Sequence, residues 1–374
     1  MARAPVLQET EALPEADRLG VFPHPRATKA LFGHEAAEQA LRGAVADNRM
    51  HHGWLLTGPE GIGKATLAYR FARHLLAAPD ERDQLGSSLD VGPQTSAARQ
   101  VLALSHPGLL VIRRPYDPKG KRFTASIPVE DVRRLRSFLT HTVDANAWRV
   151  VIVDSADELN ANAANALLKS LEEPPPRTVF LLISSAPGRL LPTVRSRCRT
   201  LSLAALDTAN LRRAVMQAIT SAEDASAPGA QNWDELASLA QGSPRAALSF
   251  ISSGSDKLYA KAQGILGLLP KVDWPAVHTL SDELAGAAAE QKFEAFFDLL
   301  LDLVRRLIRA EALGTGADAD RSLAKRLVGP SRLAIWAEAW EAVTAEKATC
   351  KALNLDRKAL ILATVARLEA AARA

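Results

Sequence analysis

Cysteine and long apolar runs are the two scarce features of this 374-residue chain. Its only cysteines, Cys198 and Cys350, lie far apart and in different predicted domains. That separation argues against a disulfide framework and against a cysteine zinc site. No apolar run approaches the length that crosses a bilayer, and the first twenty residues lack the apolar core of a signal peptide. We therefore expect a cytosolic, cytoplasmic protein.

Charge of one sign is not in large excess. The chain has 46 Lys and Arg against 42 Asp and Glu, a formal net charge of +4, and a sequence pI near 9.1. This balance permits a nucleic-acid partner without requiring one. The length exceeds that of a single typical domain, so two or three domains are expected, each large enough for its own core.

A phosphate-binding loop is the strongest local motif. Residues 58–64 fit the pattern GxxxxGK, but Ala65 stands where the pattern requires Ser or Thr. A short apolar strand at 54–57 precedes the loop and a helical pattern from Ala65 to Leu76 follows it, which is the order the motif needs. The alternative is a Gly-rich turn that binds nothing. The candidate phosphate-binding residues are Gly58, Gly61, Gly63, Lys64, Ala65 and Thr66.

A second acidic motif is also incomplete. The buried-strand pattern from Arg149 ends at Asp154, where a metal-associated carboxylate is expected, but Ser155 follows in place of a water-orienting Glu. Ala65 supplies no hydroxyl to a magnesium ion. Both substitutions remove hydrolysis chemistry and leave the fold, so the pattern predicts a nucleotide-binding module retained for its shape and contacts. ATP binding stays open, and Asp154 could instead hold a loop through hydrogen bonds.

The organisation of the chain changes along its length. Residues 1–20 are predicted to be a flexible tail with acidic residues. Strand-like runs alternate with helical patterns over 21–203, which predicts an α/β domain with a parallel sheet. Strand signals then disappear: 204–255 is predicted to be a small helical lid, and 256–374 an all-helical domain of amphipathic helices. The acidic residues of the tail are Glu9, Glu11, Glu15 and Asp17.

Further motifs in this chain resemble those of a known protein family. The run from Asn165 to Pro175, NALLKSLEEPP, together with Ser196-Arg197-Cys198, closely resembles the clamp-loader branch of the AAA+ ATPases. More narrowly, the sequence resembles the delta-prime type of subunit in bacterial DNA polymerase III clamp loaders. The narrower resemblance depends on HHGWLL at 51–56, GIGKAT at 61–66, HPGL at 106–109 and NLDRK at 354–358.

The resemblance implies a role and partners. Clamp loaders are five-subunit rings that use ATP to open a sliding clamp and place it on primed DNA. A delta-prime subunit would sit beside tau or gamma and delta subunits as a stator with little ATPase of its own. Residues 256–374 would then form an oligomerisation collar. A polymerase or nucleotidyltransferase label would describe only the holoenzyme.

The resemblance also implies residue roles. Arg197 would act in trans as an arginine finger, Arg245 would occupy the sensor 2 position beside bound nucleotide, and Ser185 falls near sensor 1. Many relatives carry a four-cysteine zinc module, but residues 77–106 contain no cysteine, so no zinc is expected.

Other interpretations of these residues remain open. Arg197 could be an ordinary surface arginine, and Arg245 could cap or pair within the lid. An active tau- or gamma-type motor would need a hydroxyl at position 65 and normally Glu at 155. A small-molecule kinase would explain neither the NALLKSLEEPP run nor the helical C-terminal third. Basic residues near Tyr116 could contact DNA or form a solvated hairpin tip, and Trp336 and Trp340 fit a core or subunit interface better than a base-stacking platform.

Overall fold

The computed structural model describes residues 14–47, 49–82, 88–120, 122–140, 147–222, 232–286, 289–314, 318–353 and 355–374. Contacts between Cα atoms divide the chain into two compact units, residues 1–249 and residues 250–374. Each unit is described by itself below. The separate lid at 204–255 stays a prediction, because this division places most of that range within the first unit.

The first unit is built on a five-stranded parallel sheet. Its strand order is β2-β5-β6-β1-β7, so β6 lies between the strand that leads into the phosphate loop and the strand that ends before Asp154. A short antiparallel hairpin, β3-β4, lies apart from this sheet. The strands are β1 (Gly53–Thr57), β2 (Leu109–Ile112), β3 (Tyr116–Asp117), β4 (Arg122–Phe123), β5 (Arg149–Val153), β6 (Thr178–Ser184) and β7 (Arg199–Ser202).

The predicted α/β class is confirmed, and the reason lies in the strand sequences. β1, β5 and β6 are almost continuous apolar runs because helices cover both faces of the sheet. One face packs against apolar residues of α1, α2 and α3, and the other against α4, α5 and α6. These helices are α1 (Glu35–Ala46), α2 (Lys64–Leu76), α3 (Ser96–Leu102), α4 (Val129–Thr140), α5 (Ala161–Glu172) and α6 (Pro192–Ser196).

Local signals fix the ends of α5, the helix of the NALLKSLEEPP run. The Asn160 side chain accepts a hydrogen bond from the Ala163 amide at 2.8 Å, which caps the first turn. The helix ends at Glu172, just before the three prolines at 174–176 that cannot continue it. Three helices complete the first unit after the sheet: α7 (Thr208–Thr220), α8 (Trp233–Leu239) and α9 (Pro244–Ser252), of which α9 runs into the boundary.

The predicted flexible tail is wrong for its last residues. Glu15 and Asp17 belong to a network of ion pairs, and the Asp17 side chain is only 2% exposed. The sequence pattern missed this because acidic residues among small residues and prolines resemble disordered composition. Glu9 and Glu11 lie outside the described residues.

The second unit is entirely helical over its described residues, as predicted. Trp336 is fully buried in its core, and the Trp340 indole donates a hydrogen bond to the Leu301 carbonyl at 3.0 Å. Both tryptophans therefore stabilise the unit internally. In the parts of the chain that the structure describes, no helix combines the length and apolar character that a membrane span needs. The helices are α10 (Ser255–Leu268), α11 (Trp274–Ala285), α12 (Glu290–Leu313), α13 (Asp318–Leu327), α14 (Gly329–Leu353) and α15 (Arg357–Arg373).

Candidate functional site

A cleft of about 280 Å³ lies in the first unit, where the strands of the parallel sheet end. Parallel strands bring their carboxyl ends to one edge, so the residues that follow different strands meet there. The phosphate loop follows β1, Arg113 follows β2, Asp154 follows β5 and Ser185 follows β6. Apolar side chains close the other part of the cleft, namely Phe22, Leu31, Phe32, Leu206 and Leu248.

The predicted phosphate-binding residues are brought together at this cleft. Gly61, Gly63, Lys64, Ala65 and Thr66 line it. The loop's first glycine, Gly58, contributes its carbonyl oxygen to the bonding of the Lys64 side chain.

Two loop glycines occupy backbone positions that a side chain would not fit. Gly58 has φ +137°, and a Cβ atom there would lie 2.2 Å from the Leu203 carbonyl oxygen. Gly61 has φ +74°, and a Cβ atom there would lie 2.4 Å from the Cβ of Arg245. The loop conformation therefore requires glycine at both positions, and the backbone cradle of the motif is intact.

Lys64 is directed onto its own loop. Its ammonium group donates to the carbonyl oxygens of Gly58 at 2.7 Å and Pro59 at 2.5 Å, and to the Ser185 hydroxyl at 2.9 Å. Burial lowers the pKa of Lys64 to about 8, although nearby carboxylates, including Asp154, act in the opposite direction. The contact with Ser185 places the predicted sensor 1 residue beside the phosphate loop.

Asp154 has an unusual charge environment. Burial raises the pKa of its carboxyl group to about 7, and the negative charge of Asp17 adds to that increase. Arg113 and Arg245 lower the same pKa, but by less. Ser155, the next residue, has a left-handed backbone with φ +56° and turns the chain away from the strand.

These residues do not fit a magnesium nucleotide of the usual kind. Ala65 presents a methyl group where the metal needs a hydroxyl oxygen. Asp154 shares its surroundings with the Arg113 and Arg245 guanidinium groups and has a carboxyl pKa near neutrality. The intact loop and the start of α2 still fit phosphate oxygens. The geometry therefore fits the anion-binding part of such a site, whereas one metal-ligating hydroxyl is missing.

The start of α9 and the residue just before it, Ser243, contact the phosphate loop directly. The Ser243 hydroxyl donates to the Glu60 carbonyl at 2.8 Å, and the Arg245 amide donates to the Gly61 carbonyl at 3.3 Å. The Arg245 guanidinium donates to the main-chain oxygen of Asp17 at 3.2 Å. The residue predicted for sensor 2 thus lines the cleft and contacts both the loop and the N-terminal residues.

A buried ion-pair network borders the same cleft. The Asp17 carboxylate lies 2.8 Å from His24 Nε2 and accepts a hydrogen bond from Arg113 Nη1 at 2.8 Å. Glu15 pairs with Arg113 through a short contact and with Arg26 at 2.8 Å. Burial is the largest single effect on both carboxyl groups and raises their pKa values. The combined effect of Arg26, Arg113 and His24 on Glu15, and of His24 and Arg113 on Asp17, outweighs it, so both pKa values lie below their ordinary values.

Arg197 is not among the residues that line the cleft. It follows α6, where its guanidinium pairs with Glu172 at 2.8 Å and donates to the Thr193 carbonyl at 3.0 Å. Its side chain is about one-third exposed. The structure therefore separates Arg197 from the other predicted site residues.

Asp17 and Arg113 were not predicted as site residues. Asp17 was expected in a flexible tail, and Arg113 among the basic residues near Tyr116. A signal for Arg113 was present, because it directly follows a strand of the same sheet as the strand that ends before Asp154. No local signal pointed to Asp17, whose partner Arg113 is 96 residues away.

The phosphate loop follows β1, and β6 lies in the sheet between β1 and β5, the strand that leads to Asp154. This arrangement defines a P-loop domain of the AAA+ type. The family model described as DNA polymerase III, delta subunit, matches residues 33–207. DNA polymerase III subunit delta' of Pseudomonas aeruginosa is 32% identical over 75% of this chain and 80% of that protein. The chain therefore belongs to the bacterial DNA polymerase III clamp-loader subunit family.

Other relatives carry different subunit names. DNA polymerase III subunit tau of Escherichia coli is 28% identical over 73% of this chain, but the match covers only 39% of that longer protein. Among solved structures, a gamma subunit-related protein of Thermotoga maritima is similar at 20% identity, with a TM-score of 0.37 over 88% of this chain and 98% of that one. The RuvB Holliday junction branch migration motor of the same organism has 17% identity and a TM-score of 0.39 over 79% of this chain and 87% of that one.

Proposed function

We propose that this chain is a delta-prime type subunit of a bacterial clamp loader, working in the cytoplasm with little or no ATP hydrolysis of its own. The observation that carries this proposal is that the nucleotide site is only partly complete. The phosphate loop is intact, but the hydroxyl at position 65 and the carboxylate at position 155 are both missing. A subunit of this kind keeps the shape of a motor domain without its turnover.

The partners follow from the family. We propose that the chain assembles with tau or gamma and delta subunits, and through that complex serves a sliding clamp and primed DNA. The similarity to subunit delta' of Pseudomonas aeruginosa supports this choice because it spans most of both chains. The match to subunit tau spans less than half of that protein.

Arg197 has the properties of a residue that acts on a neighbour. It is outside its own cleft, partly exposed and held on the surface by Glu172 and Thr193. We propose that its guanidinium contacts the γ-phosphate bound by the adjacent subunit, where it offsets the charge that develops on the transferred phosphoryl group. Arg245 is proposed to be the sensor 2 residue of the chain's own cleft.

An active ATPase subunit of the tau or gamma type is the second candidate. The matches to tau and gamma subunits and the presence of Lys64, Asp154 and Arg245 favour it. Measuring ATP hydrolysis by the purified chain separates the two candidates. We expect no turnover above that of a Lys64→Ala variant. Lys64-dependent turnover on the order of 1 per second, the low end for enzymes, would support the motor instead.

Testing the proposed role of Arg197 requires the assembled complex. In a loader whose other phosphate loops are disabled, Arg197→Ala should slow clamp- and DNA-stimulated hydrolysis at the neighbouring site. A complete finger effect reaches about 10³-fold or more. Arg195→Ala removes an exposed arginine two residues away and is the matched control. Equal rates for both variants, with assembly verified, would exclude the role in trans.

A further inference from the structure

We propose that residues 14–20, here called the N-terminal strap, are an internal ligand of the nucleotide cleft. In this arrangement Asp17 occupies two arginines, Arg113 and Arg245, that line the cleft beside the phosphate loop. The chain's own N-terminal residues thus satisfy the cations that the phosphates of a nucleotide would otherwise contact. The inference rests on the proposed function, in which this subunit hydrolyses no nucleotide, and adds a reason independent of Ala65.

The Asp17 carboxylate is the first contact. Its side chain is only 2% exposed and lies between His24 and Arg113, each at 2.8 Å, while the Tyr69 hydroxyl donates to it at a longer 3.4 Å. A buried carboxylate of this kind is held by its partners, because leaving either charge unpaired would cost several-fold more than an exposed ion pair gains. The Arg113 guanidinium is therefore already paired with carboxylates of the strap.

The main chain of Asp17 is the second contact. Its carbonyl oxygen accepts a hydrogen bond from Arg245 Nη1 at 3.2 Å, and the Arg245 Nε atom lies 3.8 Å from a Glu60 carboxylate oxygen. The strap therefore links Arg245, in the first turn of α9, with Arg113, the residue after β2. A hydrogen bond from the Arg18 amide to the Glu15 carbonyl closes a turn within the strap, and one from the Phe22 amide to the Leu19 carbonyl closes a turn at its end.

A polyphosphate is the class of ligand that the strap excludes. Phosphate oxygens pair with guanidinium groups in the same charge-assisted geometry as carboxylates. An anion that enters beside the phosphate loop must therefore displace Asp17 from Arg113 and Arg245, or bind without them. Neutralising the strap should open the cleft to inorganic tripolyphosphate and to ATP without a metal.

The test measures tripolyphosphate binding by isothermal titration calorimetry on the full chain. A Glu15→Gln/Asp17→Asn double variant keeps the shape of the strap and removes its two negative charges. We expect it to bind tripolyphosphate at least about tenfold more tightly than the parent chain. Adding Arg113→Ala or Arg245→Ala should abolish the gain. Glu173→Gln, which removes one exposed carboxylate elsewhere, should bind like the parent.

A second variant pair guards against misfolding of the double variant. Deleting residues 1–20 should give the same gain, whereas deleting residues 1–13 leaves the strap in place and should not. Folded variants that bind tripolyphosphate no better than the parent would overturn the proposal. A gain that persists after Arg113→Ala or Arg245→Ala is added would overturn it as well.

Hydrogen exchange on the unaltered chain tests the strap without any substitution. The Arg18 and Phe22 amides should exchange at least about tenfold more slowly than in an unstructured peptide, because they are hydrogen-bonded. Exchange at the unstructured rate would overturn the proposal. Incorporation of each strap variant into the loader is measured in parallel. Retained incorporation with an Arg197-dependent neighbour, but no gain in tripolyphosphate binding, would reject the strap and leave the proposed function standing.

Discussion

Asp154 has a proton equilibrium that differs from that of an ordinary aspartate. Burial, and next the charge of Asp17, raise the pKa of its carboxyl group to about 7, while Arg113 and Arg245 offset only part of that increase. In an unfolded chain the same group titrates near its ordinary pKa of 3.8. Between these two values the folded state binds more protons than the unfolded state. Asp154 therefore lowers the free energy of unfolding progressively as pH rises from about 4 to about 7.

Asp154→Asn should remove this dependence. The free energy of unfolding of the variant relative to the parent should increase from near zero at about pH 4 to about 2–4 kcal/mol at about pH 8. Urea unfolding at a series of pH values measures the difference. Asp47→Asn, which removes an exposed carboxylate, is the control for a general effect of charge. A difference for Asp154→Asn that stays constant with pH would contradict the assignment of this carboxyl group.

Glu172 is expected to position Arg197. Both side chains are substantially exposed, so their ion pair should contribute less than about 1 kcal/mol to stability. The pair nevertheless fixes one nitrogen of the guanidinium group while the Thr193 carbonyl fixes another. Ordering the side chain before the subunits meet should reduce the entropic cost of the proposed contact in trans.

Glu172→Gln in the assembled loader should therefore lower the maximal rate at the neighbouring site by about threefold, with KM unchanged. In an Arg197→Ala background the same substitution should have no effect, because the two residues act as one unit. The comparison uses single-site loaders, with Glu173→Gln as the matched control. Equal losses in both backgrounds would show that Glu172 acts independently of Arg197.

The sequence was sufficient for some of these residues and not for others. Gly58, Gly61, Gly63 and Lys64 could be predicted because their roles depend on spacing within one loop. Asp17 could not, since its role depends on pairing across 96 residues with Arg113. Local composition carries little information about such a long-range pairing. In sequence, a buried carboxylate in a short N-terminal segment looks the same as a solvated one.

At the scale of elements, the central strands β1, β5 and β6 were predictable because they are nearly continuous apolar runs between polar turns. Their order in the sheet was not, because β6 reaches its place between β1 and β5 only through tertiary packing. The phosphate loop joins several of these elements. It follows β1, starts α2 and lies against the residue after β7. It also accepts hydrogen bonds from Ser243, just before α9, and from Arg245, in the first turn of that helix.

Gly58→Ala tests how far the packing of the phosphate loop against these elements depends on one backbone conformation. A Cβ atom would approach the Leu203 carbonyl oxygen to 2.2 Å at a φ that L residues rarely adopt. We expect a loss of at least about 2 kcal/mol in the free energy of unfolding. Gly188→Ala is the control, because nothing lies within 4 Å of its added Cβ and its φ is not in the left-handed region. Similar stability of the two variants in urea would contradict a structural requirement for glycine at the start of the loop.

The whole molecule combines two units with separate cores. Both apolar clusters of the sheet domain are complete within residues 31–203. In the helical unit, Trp336 is fully buried, and the indole of the partly buried Trp340 bonds the Leu301 carbonyl, so both contribute to the interior. The large apolar residues that this unit exposes among its described residues are therefore better candidates for subunit contact: Leu268, Leu313, Ile335, Leu353 and Leu355.

Deleting residues 256–374 should consequently separate folding from assembly. The remaining chain, residues 1–255, keeps α9 and both apolar clusters, so it should unfold in one cooperative transition. If the proposed partners bind these exposed apolar residues, it should fail to co-elute with tau or gamma and delta subunits, because residues 256–374 carry them. The reciprocal fragment, residues 256–374, should compete with the full chain for incorporation. A truncated chain that assembles as well as the full chain would place the principal subunit contact in the AAA+ domain instead.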